Sequence, residues 1–319
     1  MAKTFISPLK TAILANTYHP SYDPAPMGKT REIKKRIKAV GNIKRITKTM
    51  QMIATAKFSA ANARTTAAKP YTAALFQLVS ELAGSLTDVS HPLVDAAGSK
   101  PRTGPELTLV ITSDRGLCGP YNGTVLRNAA AFLRANPAAM NGQIELVGKK
   151  GLAFCKFNGI KIARGHTQFG DKPTYEAVEA LAQDYIDRFI KGEISAVRVV
   201  STRFISAGKQ TAQVQQILPF KTPEKAATAE KKAVPQYEFS PAAKELLDDL
   251  LPAAVKATLF QLFQEAVVSE HVARMIAMKS ATDNSGKSQK RLTRVYNRAR
   301  QAQITTELTE IISGAAALD

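Results

Sequence analysis

The stretch KTREIKKRIKAVGNIKRITKTMQMI, residues 29–53, decides the fold. Ile33, Ile37, Val40, Ile43, Ile46, Met50 and Ile53 recur at steps of three or four. That spacing lines apolar side chains along one side of a helix, in the manner of a coiled coil. Beyond it alanine dominates, through Ala54, Ala56, Ala60, Ala61, Ala63, Ala67 and Ala68. Pro70 predicts a kink or short break. The pattern resumes with Leu75, Leu78, Val79 and Leu82 and ends at Gly84-Ser85. One helix over 29–85 is expected, within an N-terminal segment 28–88.

The other end of the chain repeats the design. Ser240-Pro241 supplies a preferred cap and a proline for the first turn. A broken apolar stripe then runs through Leu246, Leu250, Leu259, Leu262, Phe263, Ile276, Leu292, Val295, Ile304, Leu308 and Ile311. Pro252 suggests an early bend, and Ser313-Gly314 a stop, for a segment 241–314. At about 1.5 Å per residue the two helices reach roughly 85 and 110 Å. A small domain cannot bury both. They are expected to pair with each other, antiparallel, as a thin rod.

Between them, residues 106–220 change character. Leu107–Thr112 (LTLVIT) is an apolar run of the kind buried in an α/β sheet. A turn from Ser113 to Gly119 leads to a helix over about 121–134. Strands are expected at 144–148, 196–206 and 212–220, and an amphipathic helix at 174–190. The fold class expected is therefore α/β: a long antiparallel coiled coil of N- and C-terminal helices with a central Rossmann-like α/β domain. Residues 221–240 (KTPEKAATAEKKAVPQYEFS) form a polar linker. Residues 1–27, interrupted by Pro8, Pro20, Pro24 and Pro26, are expected to be a disordered extension or a misassigned start; they lack the arginines of a transit peptide.

The formal net charge is +18 over 319 residues, and its placement is informative. From Lys29 to Lys57 ten basic residues face the single acid Glu32; from Glu270 to Arg300 eight face two. The basic surface is built from the two ends and predicts an acidic partner: nucleic acid, an anionic membrane face or an acidic protein. Nucleic-acid binding is the alternative reading, but aromatic residues do not interleave the basic run from Lys29 to Lys57. Cys118 and Cys155 form neither a disulfide framework nor a zinc signature. No apolar run approaches the ~18 residues of a membrane span.

Three patterns imitate sites. Ala281–Ser288 (ATDNSGKS) fits a relaxed phosphate loop, but helical periodicity precedes it where a strand is required. Ser113–Gly119 (SDRGLCG) sits where α/β folds place ligand loops, with Asp114 and Cys118 as a conceivable nucleophile set. It lacks GxGxxG, and no histidine is paired with it in sequence. A turn that pins the helix to the sheet and presents a contact surface is the simpler account. Met50 and Met52 suit helix contact better than a soft metal pair. No catalytic residue, cofactor or metal is expected.

Four segments carry a resemblance. REIKKRIKAV (31–40) with ITKTMQMIATAK (46–57), TSDRGLCGPYN (112–122), EHVARMIAMKSATDN (270–284) and YNRARQAQITTELTEI (296–311) resemble, in order, the gamma subunits of F-type ATP synthases. The likeness covers nearly all of 28–318. It implies a non-catalytic rotor whose paired helices turn inside a hexamer of alpha and beta subunits. The α/β head would grip the epsilon subunit and the membrane ring of c subunits, coupling ion flow to ATP synthesis or hydrolysis. By position, the resemblance assigns Met50, Lys57, Arg274, Arg298, Arg300, Gln301 and Thr305 to contact with the hexamer. It assigns Ser206, Gly208, Lys209 and Gln210 to a head surface facing epsilon and the ring. It also implies membrane association only through partners. The stretch 206–240 holds no cysteine, so the chloroplast dithiol is missing, which favours the cytoplasmic side of a bacterial plasma membrane.

Overall fold

The computed structural model describes residues 29–85, 91–94, 104–220 and 243–317. The expected extension 1–27, the linker 221–240 and the cap at Ser240-Pro241 lie outside the described residues. The chain divides into two compact units. One comprises the helical residues numbered up to Gly41 and from Gly286; the other runs from Asn42 to Ser285.

Helix α1, Lys29–Ser85, is continuous through Pro70, and α6, Ala243–Ala316, through Pro252 and Gly314. No break appears at either proline, and the expected stop at Ser313-Gly314 is passed. In the first unit, Ile33, Ile37 and Val40 are half-buried, as are Leu292, Tyr296 and Ala299. Thr30 Oγ1 donates to Gln303 Oε1 at 3.2 Å. A Cβ on Gly41 would lie 3.4 Å from Gln289 Nε2. The partner's number falls as the α1 number rises, so the helices run antiparallel. In the second unit the same rule holds: Thr282 Oγ1 donates to Thr47 Oγ1 at 2.9 Å, and Ala61 packs with Val267 and Val268.

The α1 seam there reads Thr47, Gln51, Ala54, Phe58, Ala61, Thr65, Ala68, Thr72, Leu75, Val79 and Leu82, all buried or half-buried. Steps of four and three alternate without exception, a repeat of 3.5 residues. The isoleucine stripe does not follow it. Ile43, Ile46 and Ile53 are 52%, 57% and 52% exposed. Two successive steps of three carry Ile46 about 120° around the helix from Val40 at 3.6 residues per turn. On α6, Ile276, Val295, Ile304, Leu308 and Ile311 are likewise exposed. Small and polar residues make the seam, and many large apolar residues point outward.

The α/β part of the second unit contains a five-stranded sheet in the order β3-β2-β1-β4-β5. Its members are β1 Glu106–Ile111, β2 Gln143–Val147, β3 Arg164–His166, β4 Ala196–Ser206 and β5 Lys209–Leu218. β5 is antiparallel to β4, and the other pairs are parallel. Parallel neighbours need crossovers. These are α2 (Tyr121–Ala135) with the short α3 (Pro137–Met140), then α4 (Lys149–Phe157), then α5 (Tyr175–Ile190). The sequence pattern showed α2, α5, β1, β2, β4 and β5; α4 and the three-residue β3 were not expected.

β1 alternates between two cores. Leu107, Leu109 and Ile111 face α5 and the feet of the long helices, packing with Val178, Leu181, Val255 and Phe263. Val110 faces Val125 and Ala129 of α2 and Cys155 of α4. Layering on both faces explains why β1 is a solid apolar run. The first core also holds Leu75, Val79 and Leu82, so the wide end of the helix pair is part of the domain.

A buried carboxylate ties the sheet to α5. Glu145 of β2 is 1% exposed. It accepts from Tyr185 Oη at 2.8 Å and Arg188 at 3.1 Å, and its Oε2 lies 2.8 Å from His166 Nε2. Burial opposes its ionisation, but these hydrogen bonds prevail and hold its pKa below the ordinary carboxylate value. A group with a depressed folded pKa stabilises the fold above its unfolded pKa and loses that contribution as pH falls through the folded one. Acid titration below about pH 4.5, followed by circular dichroism, should destabilise the wild type, and Glu145→Gln should flatten that part of the curve.

Gly148 joins β2 to α4 at φ +91°, and a Cβ there would stand 2.3 Å from the Thr112 carbonyl oxygen. Neither the dihedral nor the space admits a side chain. Gly148→Ala should cost on the order of 3 kcal/mol or more, read as a drop in urea midpoint.

Candidate functional site

Strand order reverses between β1 and β4, and in open α/β sheets ligands bind beyond the strand ends at such a point. Here the loop Ser113–Gly119 stands at that place. Ser113, Asp114 and Cys118 are committed to structure. Ser113 N–H donates to Asn122 Oδ1 at 3.0 Å, and Asn122 Nδ2 donates to Ser113 Oγ at 2.7 Å, tying β1 to α2. Asp114 Oδ1 accepts the Lys149 N–H that opens α4. Cys118 is buried, with Asn122 Nδ2 3.3 Å from its sulfur. The conceivable nucleophile set is thus a pair of structural partners.

The crevice itself is filled. Phe263, Ala266, Val267 and Glu270 of α6 stand opposite Thr112, Gly148 and His166, leaving about 20 Å³. Small-molecule pockets run to roughly 300 Å³ and above, so the remaining space suits about one water. Further along, a Cβ on Gly119 would meet Ala277 Cβ at 3.6 Å. The phosphate-loop pattern at 281–288 is continuous α-helix, so its N–H groups are already bonded along the helix and cannot cradle a phosphate.

Beside the crevice an open cavity of about 340 Å³ is lined by Met50, Ile53, Lys57, Leu117, His271 and Arg274, among others. Three of the candidate contact residues therefore meet here. Lys57 Nζ lies 2.6 Å from Asp171 Oδ2, with Arg115 at 3.9 Å from the same oxygen. Burial pushes the Asp171 pKa up, but Lys57 and then Arg115 outweigh it and hold it low. Arg274 donates to Glu270 Oε1 at 2.5 Å and to the carbonyls of Gly116 and Arg115 at 3.3 Å each. Glu270 is raised by burial despite Arg274. His271 is lowered to about 4, by burial first and then by Arg274, so it is neutral at pH 7. Lys57 and Arg274 thus join both long helices to the loops of the α/β part. Leu117, in the left-handed region at φ 63°, is 61% exposed at this cavity. Such a conformation in a non-glycine residue is an unfavourable one held by its surroundings.

Arg298, Arg300, Gln301 and Thr305 belong to the other unit and are exposed. Thr305 Oγ1 donates to the Gln301 carbonyl at 3.0 Å. Ser206, Gly208 and Lys209 are exposed at the β4–β5 turn, where Gln210 Nε2 donates to the carbonyls of Ser206 and Ala207. That turn lies at the strand ends that also carry Ser113–Gly119. Asp171 was missed by the sequence reading. It follows β3, a strand too short to leave a pattern, and nothing near it in sequence pointed to Lys57.

Among the described residues no helix is long and apolar enough to cross a membrane. A protein-family model described as "ATP synthase" matches residues 29–318. The ATP synthase gamma chain of Rhodopirellula baltica is 40% identical over 298 residues, covering 92% of this chain and 100% of that one. The gamma chain of Geobacter metallireducens is 40% identical over 290 residues, covering 91% and 98%. A chain of the Euglena gracilis mitochondrial ATP synthase, in a structure of OSCP, F1 and the c-ring, superposes with TM-score 0.62 at 20% identity, covering 91% and 95%. Another from its rotor superposes with TM-score 0.57 at 18% identity, covering 87% and 99%. At those identities the structures speak to the fold.

The Lys57–Asp171 pair is partly exposed, at 40% and 25%. A double-mutant cycle with Ala at each position should give a coupling of about 0.5–1 kcal/mol, discounted for solvent screening, in urea unfolding of the full chain. A value near zero would mean that the pair adds nothing to the join.

Proposed function

The chain belongs to the ATP synthase family, among its gamma chains, and from that premise we propose how it works as the central-stalk rotor subunit. The observation that carries the reading is the filled crevice. Where an α/β sheet of this order would seat a nucleotide, α6 crosses and packs, and the same helix continues into an antiparallel pair with α1. The chain holds a helix where an enzyme would hold its substrate, and ATP chemistry falls to other subunits.

The pair turns within a hexamer of alternating alpha and beta subunits. A rotor can bias nucleotide affinity only if its faces differ, because partners shift states solely through differential contact. Its faces do differ: basic residues, exposed isoleucines and bare alanines alternate around α1. Met50, Lys57 and Arg274 meet the hexamer at the cavity, with Lys57 and Arg274 also fixing the helices to the domain. Arg298, Arg300, Gln301 and Thr305 meet it along the last turns of α6. The basic ends suit acidic loops of the catalytic subunits. The nucleic-acid alternative has the same charges in its favour, but the relatives named above are gamma chains. The α/β domain binds epsilon and rests on the c-ring. Ion flow through that ring turns the chain, which is peripheral to the cytoplasmic face of a bacterial plasma membrane.

Affinity purification of the tagged chain from solubilised membranes should recover one copy with a large ATP-hydrolysing hexamer. Recovery of the chain alone or with nucleic acid would overturn the reading. Within the recovered complex, Arg298→Ala combined with Gln301→Ala should lower ATPase activity or assembly yield. Unchanged activity and yield would remove both from the contact surface.

A further inference from the structure

β4 and β5 outrun the rest of the sheet. β1 pairs with β4 only as far as Val110 opposite Val200, yet β4 continues to Ser206, paired with β5 alone. The projecting arm is held by the long helices. Phe204 packs on Phe58 with ring centroids 6.0 Å apart, beside Ala61, Val267 and Val268. At the opposite end of the sheet Phe220, just past β5, stacks on Phe76 at 5.6 Å. From Phe220 to Phe204 the hairpin therefore travels down the numbering of α1, and its tip points past Phe58 toward Lys57 and Met50. That is the side of the Arg274 cavity.

The tip has a definite chemistry. Ile205 is 53% exposed, Arg203, Ser206, Ala207, Gly208 and Lys209 are exposed, and no Asp or Glu occurs between Ala196 and Phe220. A cationic arm with one bare isoleucine fits an acidic protein surface. We propose that the hairpin tip, Ile205–Lys209, touches the acidic underside of the catalytic hexamer, as a contact additional to the helices. The surface facing the ring would then lie at the other end of the sheet. The direction assigned here rests on the rotor reading, which places Met50, Lys57 and Arg274 against the hexamer. It replaces the ring-facing role that the resemblance gave to Ser206, Gly208, Lys209 and Gln210.

The test uses the whole complex with Ser206→Cys or Lys209→Cys; the native Cys118 and Cys155 are buried. A short, cleavable thiol-to-amine or photoactivated cross-linker is attached, and the partner is identified by peptide mass spectrometry. Cross-linking to alpha or beta subunits is expected, with loss of ATPase activity that returns when the linker is cleaved. Cross-links confined to ring subunits or epsilon, or none at all, would overturn the assignment. Failure of the unsubstituted chain to co-purify with a hexamer would instead count against the rotor reading, so the two failures are separable.

Discussion

Everything in this molecule depends on α6 lying across the carboxyl ends of the parallel strands. Phe263, Ala266 and Val267 occupy the crevice at which such a sheet ordinarily admits a ligand. A buried phenylalanine of this kind is worth about 3–5 kcal/mol when truncated, far more than the solvent-screened ion pair at Lys57. The apolar seat sets the position, and the polar bonds set the angle. Arg274, one turn beyond Glu270, then reaches the carbonyls of Arg115 and Gly116, which a helix shifted by one residue would miss.

The pairing of α1 with α6 follows a different economy of size. Its seam alternates steps of four and three but is filled with Thr, Ala and Gln in the middle, and with Leu and Val only where it enters the domain. Small residues let two backbones approach closely and keep the pair thin. They also bury little apolar surface, at roughly 25 cal/mol per Å², so the middle of the pair is held weakly by its own contacts. Large apolar side chains that could have strengthened it, such as Ile46 and Ile53, face outward instead. A monomer gains nothing from that arrangement. A subunit that must present different faces to surrounding partners does.

This inversion also explains what the sequence could and could not disclose. Long helices at both ends, the central α/β domain and the identity of β1, β4 and α5 were legible, because each leaves a period or a solid apolar run. The seam was not, because the eye follows isoleucines and the packing follows alanines and threonines. Pro70 and Pro252 lie inside continuous helices, because a helix supported along its side tolerates a missing hydrogen bond that would break it alone. β3 and Asp171 were invisible, since three residues carry no period. Of the candidate site, Met50, Lys57 and Arg274 were named by resemblance, yet only the structure brought them to one cavity and showed that two of them are engaged within the chain.

That engagement changes what a substitution at Lys57 or Arg274 would mean. Each sits between a long helix and a loop of the domain, so removing either alters the join as well as any surface offered to a partner. Arg298, Arg300 and Gln301 are different, being exposed, with no ion pair to another side chain among the described residues. Loss of function at the first pair is therefore ambiguous between loosened attachment and lost contact, whereas loss at the second group reports contact alone. The exposed residues are therefore the cleaner probes of what the rotor touches.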